Sequence, residues 1–151
     1  MKSALLIIPF LFLLGCASAD KSPQIQPREV TASVTGDKSM VFKKALFALF
    51  QDGYSIASSD ESSGFISTQR RQMALTPTDV DIGSTMGIDY MKDKRTTVYV
   101  TVTIQVRDGS AVIRTGVDAE YLPNDPVYGK HMTGVSRGTI ENRIASLIIW
   151  Q

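Results

Sequence analysis

The feature that most constrains this fold is a pair of alternating segments on either side of a short turn. From Val98 to Val106, a β-branched apolar residue occupies every second position, and the residues between are polar or aromatic. Asp108-Gly109 has the sequence of a two-residue type I′ turn, because both positions tolerate positive φ. The turn sets a register that brings the apolar sets of both strands onto one face. Its pairs are Val106–Ala111, Ile104–Ile113, Val102–Thr115, Val100–Val117 and Val98–Ala119.

Two amphipathic helices are predicted, one before and one after the hairpin. The first begins at Asp37, a suitable N-cap, and ends before Gly53, which occupies the position of a C′ glycine. The second covers Thr139–Trp150. Met40 and Phe47 fall on the lysine-bearing side of the first helix. Either the edge of the buried face is irregular and a loop covers these residues, or they contact a partner. Apolar residues at helical spacing define the buried faces: Phe42, Ala45, Leu46 and Leu49, then Ile140, Ile144, Leu147 and Ile148.

Further strands are predicted at Val30–Val34, Tyr54–Ser58 and Phe65–Arg70, which gives the order β-α-β-β-β-β-α. Helices with one apolar face can cover only the apolar side of a sheet. The sequence therefore predicts a two-layer α+β domain with a mostly antiparallel sheet and both helices on one face. The opposite sheet face is expected to meet water. Its residues are Tyr99, Thr101, Thr103, Gln105, Arg114, Asp118 and Glu120.

The first 15 residues have the pattern of a secretory leader that ends at the only cysteine of the chain. Lys2 provides a positive charge, and the apolar stretch Ala4–Leu14 is too short to span a bilayer, which takes about 20 residues. Leu13-Leu14-Gly15-Cys16 resembles the bacterial lipobox, in which the cysteine thiol receives a diacylglycerol and becomes the mature N-terminus. We therefore expect a lipoprotein signal peptide at 1–15 and lipid attachment at Cys16.

An ordinary signal peptidase site is the alternative. Ala17-Ser18-Ala19 has small residues where that peptidase needs them, and cleavage there would release a soluble chain beginning at Asp20. In the Gram-negative lipoproteins that the lipobox resembles, an aspartate directly after the cysteine favours retention in the inner membrane. Ala17 occupies that position here. The expected location is therefore the outer membrane, with the domain facing the periplasm.

The mature chain divides into a flexible tether at 16–28 and a single α+β domain at 29–151. The tether contains Pro23 and Pro27 among polar residues and has almost no apolar content. Sixteen basic and 15 acidic side chains nearly cancel over the whole sequence. A neutral chain without a basic stripe argues against a nucleic-acid partner. If Cys16 carries lipid, no thiol remains for a disulfide or a thiolate metal site.

The segment Phe42–Gln69 resembles the helix-grip domains of BamC, a lipoprotein family of the outer-membrane β-barrel assembly machinery. Those domains share a helix that ends in Gly-aromatic, a strand, an acidic turn and a glycine that opens the next strand. Gly53-Tyr54, Asp60-Glu61 and Gly64-Phe65 occupy these places here. The resemblance implies a helix-grip fold and an envelope setting.

No recognised catalytic motif occurs in the sequence. It contains no G-x-S-x-G elbow, no phosphate-binding loop and no dinucleotide fingerprint. His131 is the only histidine, and we interpret it as a solvated loop residue because no second metal ligand or nucleophile pattern lies near it. These observations predict a protein that is not an enzyme and has no metal or cofactor.

Two loops are candidate surfaces for an envelope protein partner. The connection 72–95 is long and contains apolar residues, which favours a functional role; its candidate contacts are Met86, Ile88, Tyr90 and Met91. The second loop, Tyr121–Ser136, adds Tyr128 and His131.

Two functional hypotheses remain open. The chain is an accessory or docking subunit of an outer-membrane assembly, or it binds a small apolar ligand such as a lipid between sheet and helices. Small residues of the hairpin, Ala111, Thr115 and Ala119, would leave room for such a ligand or would admit close helix packing.

Overall fold

The computed structural model describes residues 28–85, 87–123 and 129–151. The predicted signal peptide, Cys16 and all but the last residue of the predicted tether lie outside this range, as do Met86 and Tyr128. The elements are β1 (Glu29–Ser33), α1 (Lys38–Gln51), β2 (Ile56–Asp60), β3 (Phe65–Thr68), β4 (Arg71–Met73), β5 (Val80–Asp81), β6 (Ser84–Thr85), β7 (Ile88–Asp89), β8 (Thr96–Arg107), β9 (Ser110–Tyr121), β10 (Lys130–Ser136) and α2 (Thr139–Ile149). Within these described ranges, no helix is long and apolar enough to cross a membrane.

The β8–β9 hairpin is the centre of the domain, and its predicted register is confirmed. All five predicted pairs are present, from Val106 opposite Ala111 to Val98 opposite Ala119. The inward residues of β8 are buried, with Val100, Val102 and Ile104 at 0% exposure. Turn chemistry and alternation are both local signals, so the sequence alone sufficed to set this register.

Shorter strands line up end to end along both outer edges of the hairpin. β1 pairs with the first half of β9, and β10 pairs with the second half. On the other edge, β3 and β4 pair with successive parts of β8, and β2 pairs with β3. The result is an eight-stranded antiparallel sheet, with β6 and β7 forming a separate small pair.

Both helices pack on the same face of this sheet, so the α+β prediction is confirmed. α1 begins as predicted, because the carboxylate of Asp37 accepts a hydrogen bond of 2.8 Å from the amide of Met40. It ends at Gln51, and Gly53 follows at the C′ position with a φ of +80°, the left-handed conformation expected there. Of the eight helix residues predicted to be buried, six are buried, and Leu46 and Leu147 are partly buried. The buried residues are Val41, Phe42, Ala45, Ala48 and Leu49 in α1, and Ile140, Glu141, Ile144, Ala145 and Ile148 in α2.

The prediction that Tyr121–Ser136 forms a loop is wrong at its C-terminal end, where β10 lies. Its inward residues are Met132, Gly134 and Ser136, all buried. A Cβ at Gly134 would lie 2.6 Å from Ile82, so a small residue is required there. Burial therefore alternates along β10, but two of its three inward residues are not hydrophobic. The sequence of β10 consequently lacks the alternating hydrophobic pattern that predicts a strand.

Candidate functional site

Ile88, Tyr90 and Met91, the predicted contacts of the 72–95 connection that the structure describes, do not form an exposed surface. Tyr90 is 4% exposed, and its ring packs edge-to-face against Tyr121 with 5.2 Å between centroids. Ile88 and Met91 are partly buried against the core. The connection folds back over the open end of the hairpin, since its apolar side chains gain more from burial there than from exposure to water. Tyr90 is thus a core residue, which corrects its assignment as a partner contact.

His131 is exposed, as predicted, but it lies on strand β10 and not in a loop. It stands directly opposite Glu120 of β9, so both side chains belong to the outer face of the sheet. Within the described ranges, no group of three or more His, Cys, Asp or Glu residues is placed to hold a metal ion.

The outer sheet face presents a cluster of interacting aromatic and charged groups near His131. The guanidinium of Arg70 lies 3.6 Å from the centroid of the Tyr99 ring and donates a hydrogen bond of 2.7 Å to Glu120. The hydrogen bond to this carboxylate raises the pKa of Arg70. We call Arg70, Tyr99, Glu120 and His131 the outer cluster. Sequence reasoning placed Tyr99 and Glu120 on this face but missed Arg70, which reaches them only because β4 pairs with β8.

A cleft of about 230 Å³ opens between β4, the start of β8 and the segment after β7. Its lining combines polar and apolar residues: Gln72, Met73, Ala74, Leu75, Tyr90, Met91, Thr96, Thr97 and Val98. The hydroxyl of Thr96 is buried and has no hydrogen-bond partner among the described residues. Between the sheet and the helices, where a ligand groove was predicted, Leu49, Val102 and Ile113 are all at 0% exposure.

A second cleft, of about 300 Å³, lies beside the end of α1 and includes Arg70 and Arg71. Both guanidinium groups are already engaged within the domain. Arg70 binds Glu120, while Arg71 donates to the backbone oxygen of Asp52 and lies 5.0 Å from the centre of the Tyr54 ring. These arginines hold elements of the domain together and do not form an open anion site.

The outward face of α1 carries three large apolar side chains in water. Met40 is 50% exposed, and Phe47 and Phe50 are each 58% exposed. Met40 and Phe47 were noted from the sequence; Phe50 was missed, although its i+3 spacing from Phe47 places it on the same side of the helix. The end of α2 adds Ile149 and Trp150, the latter 87% exposed.

No family model and no curated protein matches this chain. Similar solved structures include a DUF4468 family protein from Bacteroides ovatus, with 14% identity and a TM-score of 0.46 over 73% of this chain and 64% of that one. Another is a TBP-like protein from Parabacteroides distasonis, with 16% identity and a TM-score of 0.45 over 74% of this chain and 69% of that one. The chain thus matches less than two thirds of the first protein's length, and neither likeness bears on function.

Proposed function

We propose that this chain is a lipid-anchored lipoprotein of the outer membrane, and that its domain is a non-catalytic docking subunit of an envelope assembly. The observation that carries the proposal is the position of Cys16, which directly follows Gly15 at the end of an apolar leader. A single thiol at that point serves as an attachment site. About a dozen mostly polar residues then separate it from the folded domain.

The outer cluster is the best-supported surface for a protein partner. It lies on the sheet face that the described helices leave open, and Tyr and Arg are enriched at protein interfaces. Its charges are of both signs, which suits a protein surface better than a polyanion. His131 of the predicted contacts belongs to this surface.

Intact mass and fractionation of the wild-type protein test the anchor. We expect a chain that begins at Cys16, carries acyl mass and stays with membranes through a high-salt wash, because two or more acyl chains give stable anchoring. Cys16→Ala should remain as precursor or yield a soluble form. A wild-type species that begins at Asp20 without lipid would contradict the proposal.

Photo-crosslinking in intact envelopes tests the docking surface. The variant Tyr99→Ala/His131→Ala should lose the crosslinked partner and keep its membrane location. Thr31→Ala is the matched control, since Thr31 is exposed at the far end of the same sheet face. Equal crosslinking by both variants would exclude the outer cluster as the contact surface.

The cleft at Thr96 supports a second candidate function, the binding of a small apolar ligand with one polar group. The unpartnered hydroxyl of Thr96, in a cleft that also contains the apolar side chains of Met73, Leu75 and Val98, is the observation that favours it. Native mass spectrometry of the purified protein should then detect a bound molecule that Thr96→Val loses. An unliganded wild-type mass would dismiss this candidate.

A further inference from the structure

α1 is unusual for a surface helix because it carries large apolar side chains on its outward face as well as on its buried face. Val41, Ala45 and Leu49 pack on the sheet at 0% exposure. A helix in this position normally presents polar residues to water. Here Phe47 and Phe50 point outward and remain more than half exposed. Several large apolar side chains on one face indicate a surface that something covers.

The charges on this face are of one sign only. α1 contains Lys43 and Lys44 beside the exposed phenylalanines, and no acidic residue occurs anywhere in the helix. Neither lysine forms an ion pair with any residue that the structure describes. Arginines elsewhere are paired, for example Arg114 with Glu29 and Arg143 with Asp52. In an almost neutral chain, the α1 face is thus a local site of unbalanced positive charge.

We propose that this face, formed by Met40, Lys43, Lys44, Phe47 and Phe50, lies on the anionic phospholipid surface to which the chain is anchored. Aromatic side chains favour the boundary between acyl chains and headgroups, and lysines at that depth meet the lipid phosphates. The inference rests on the lipid anchor of the proposed function. A second copy of the chain is a poorer occupant, because a symmetric pairing would bring the lysines of both copies together.

The chain enters the domain close enough for this contact. The guanidinium of Arg28 donates to the backbone oxygen of Arg137, just before α2, and α2 packs on α1. The dozen residues from Cys16 to Pro27 span at most about 40 Å when fully extended. A tether of this length keeps the face at a high effective concentration near the lipid, so that weak attraction suffices. The outer cluster, on the opposite side of the sheet, then faces away from the membrane.

Tryptophan fluorescence in vesicles tests the contact directly. The chain has a single tryptophan, Trp150, so the variant Trp150→Phe/Phe47→Trp places the only indole on the α1 face. The full-length protein is reconstituted into vesicles of phosphatidylethanolamine and phosphatidylglycerol with brominated acyl chains. We expect blue-shifted emission and strong quenching. Trp150→Phe/Thr133→Trp is the control, because Thr133 is exposed on the outer sheet face, and its emission should remain that of an indole in water.

Charge reversal supplies the second measurement, in which vesicles are titrated into the reporter protein that also carries Cys16→Ala and has been purified as the soluble form beginning at Asp20. Lys43→Glu/Lys44→Glu should raise the lipid concentration needed for half-maximal quenching at least tenfold, because each lysine near an anionic surface increases membrane affinity about fivefold. High salt should act in the same direction.

Three outcomes decide between the explanations. Unquenched, water-like emission from the Phe47→Trp reporter on vesicles that carry the protein overturns the inference. If the emission is blue-shifted but not quenched, and the blue shift increases with the density of protein on the vesicles, the inference is overturned in favour of a contact with a second copy. If the wild-type protein fails to float with vesicles, the anchor has failed; quenching of the reporter at high lipid concentration would still support the inference.

Discussion

At the scale of single residues, Gly64 shows how a close backbone contact restricts a position to glycine. Its φ is +75°, and a Cβ there would lie 2.3 Å from the backbone oxygen of Val106. The carbonyl of Gly64 accepts a hydrogen bond of 2.7 Å from the amide of Val106. The loop between β2 and β3 can therefore approach the hairpin only because this residue has no side chain.

Gly64→Ala should destabilise the domain much more than Gly87→Ala. Gly87 has a similar φ of +79°, but apart from its chain neighbours no described residue has an atom within 4 Å of its missing Cβ. Alanine at Gly87 therefore carries only the backbone cost, roughly 1–2 kcal/mol. At Gly64 the steric overlap adds about 1–3 kcal/mol. Urea denaturation measures the difference, and equal losses for the two variants would show that the close approach is not maintained in solution.

At the scale of elements, the hairpin offers a direct test of which strand face is buried. Val102→Asp should cost several kcal/mol, because it places an unpaired charge where the wild-type side chain is at 0% exposure. Thr103→Asp, one residue further on, should change stability little, since Thr103 is partly exposed and stands opposite Arg114. Thermal unfolding distinguishes the two. Similar losses would mean that the strand faces are assigned wrongly.

Elements with local signals were predictable from the sequence, and those that depend on distant contacts were not. Asp108-Gly109 sets the hairpin register with no help from the rest of the chain. β10 gave no signal because Gly134 and Ser136 are buried by their neighbours and not by their own hydrophobicity. The same limit applies to the site. Nothing near Tyr90 indicates that its loop folds back, and nothing near Arg70 indicates that β4 brings it to Tyr99.

At the scale of the whole molecule, stability is concentrated in the middle of the sheet. β8 and β9 have 12 residues each and are paired along both edges. By contrast, β5, β6 and β7 have two residues each. These short strands therefore form few backbone hydrogen bonds with the rest of the sheet. Local opening at the periphery requires less free energy than global unfolding.

Hydrogen exchange measured by mass spectrometry should reveal this gradient. Amides of β8 and β9 should exchange slowest, with the free energy of global unfolding. Amides at 80–89 should exchange orders of magnitude faster. Equal protection in both regions would indicate that the 72–95 connection unfolds only together with the hairpin.

The pairing of β1 has a consequence for the order in which the domain assembles. β1 leaves the ribosome first, yet Glu29 finds its partner Arg114 only 85 positions later. The hairpin can close as soon as its own turn has emerged, whereas β1 must wait for a loop of that length to close. We therefore expect β1 to dock last. If Cys16 carries lipid as proposed, the end of the chain nearest to it is joined to the membrane while the domain is still open.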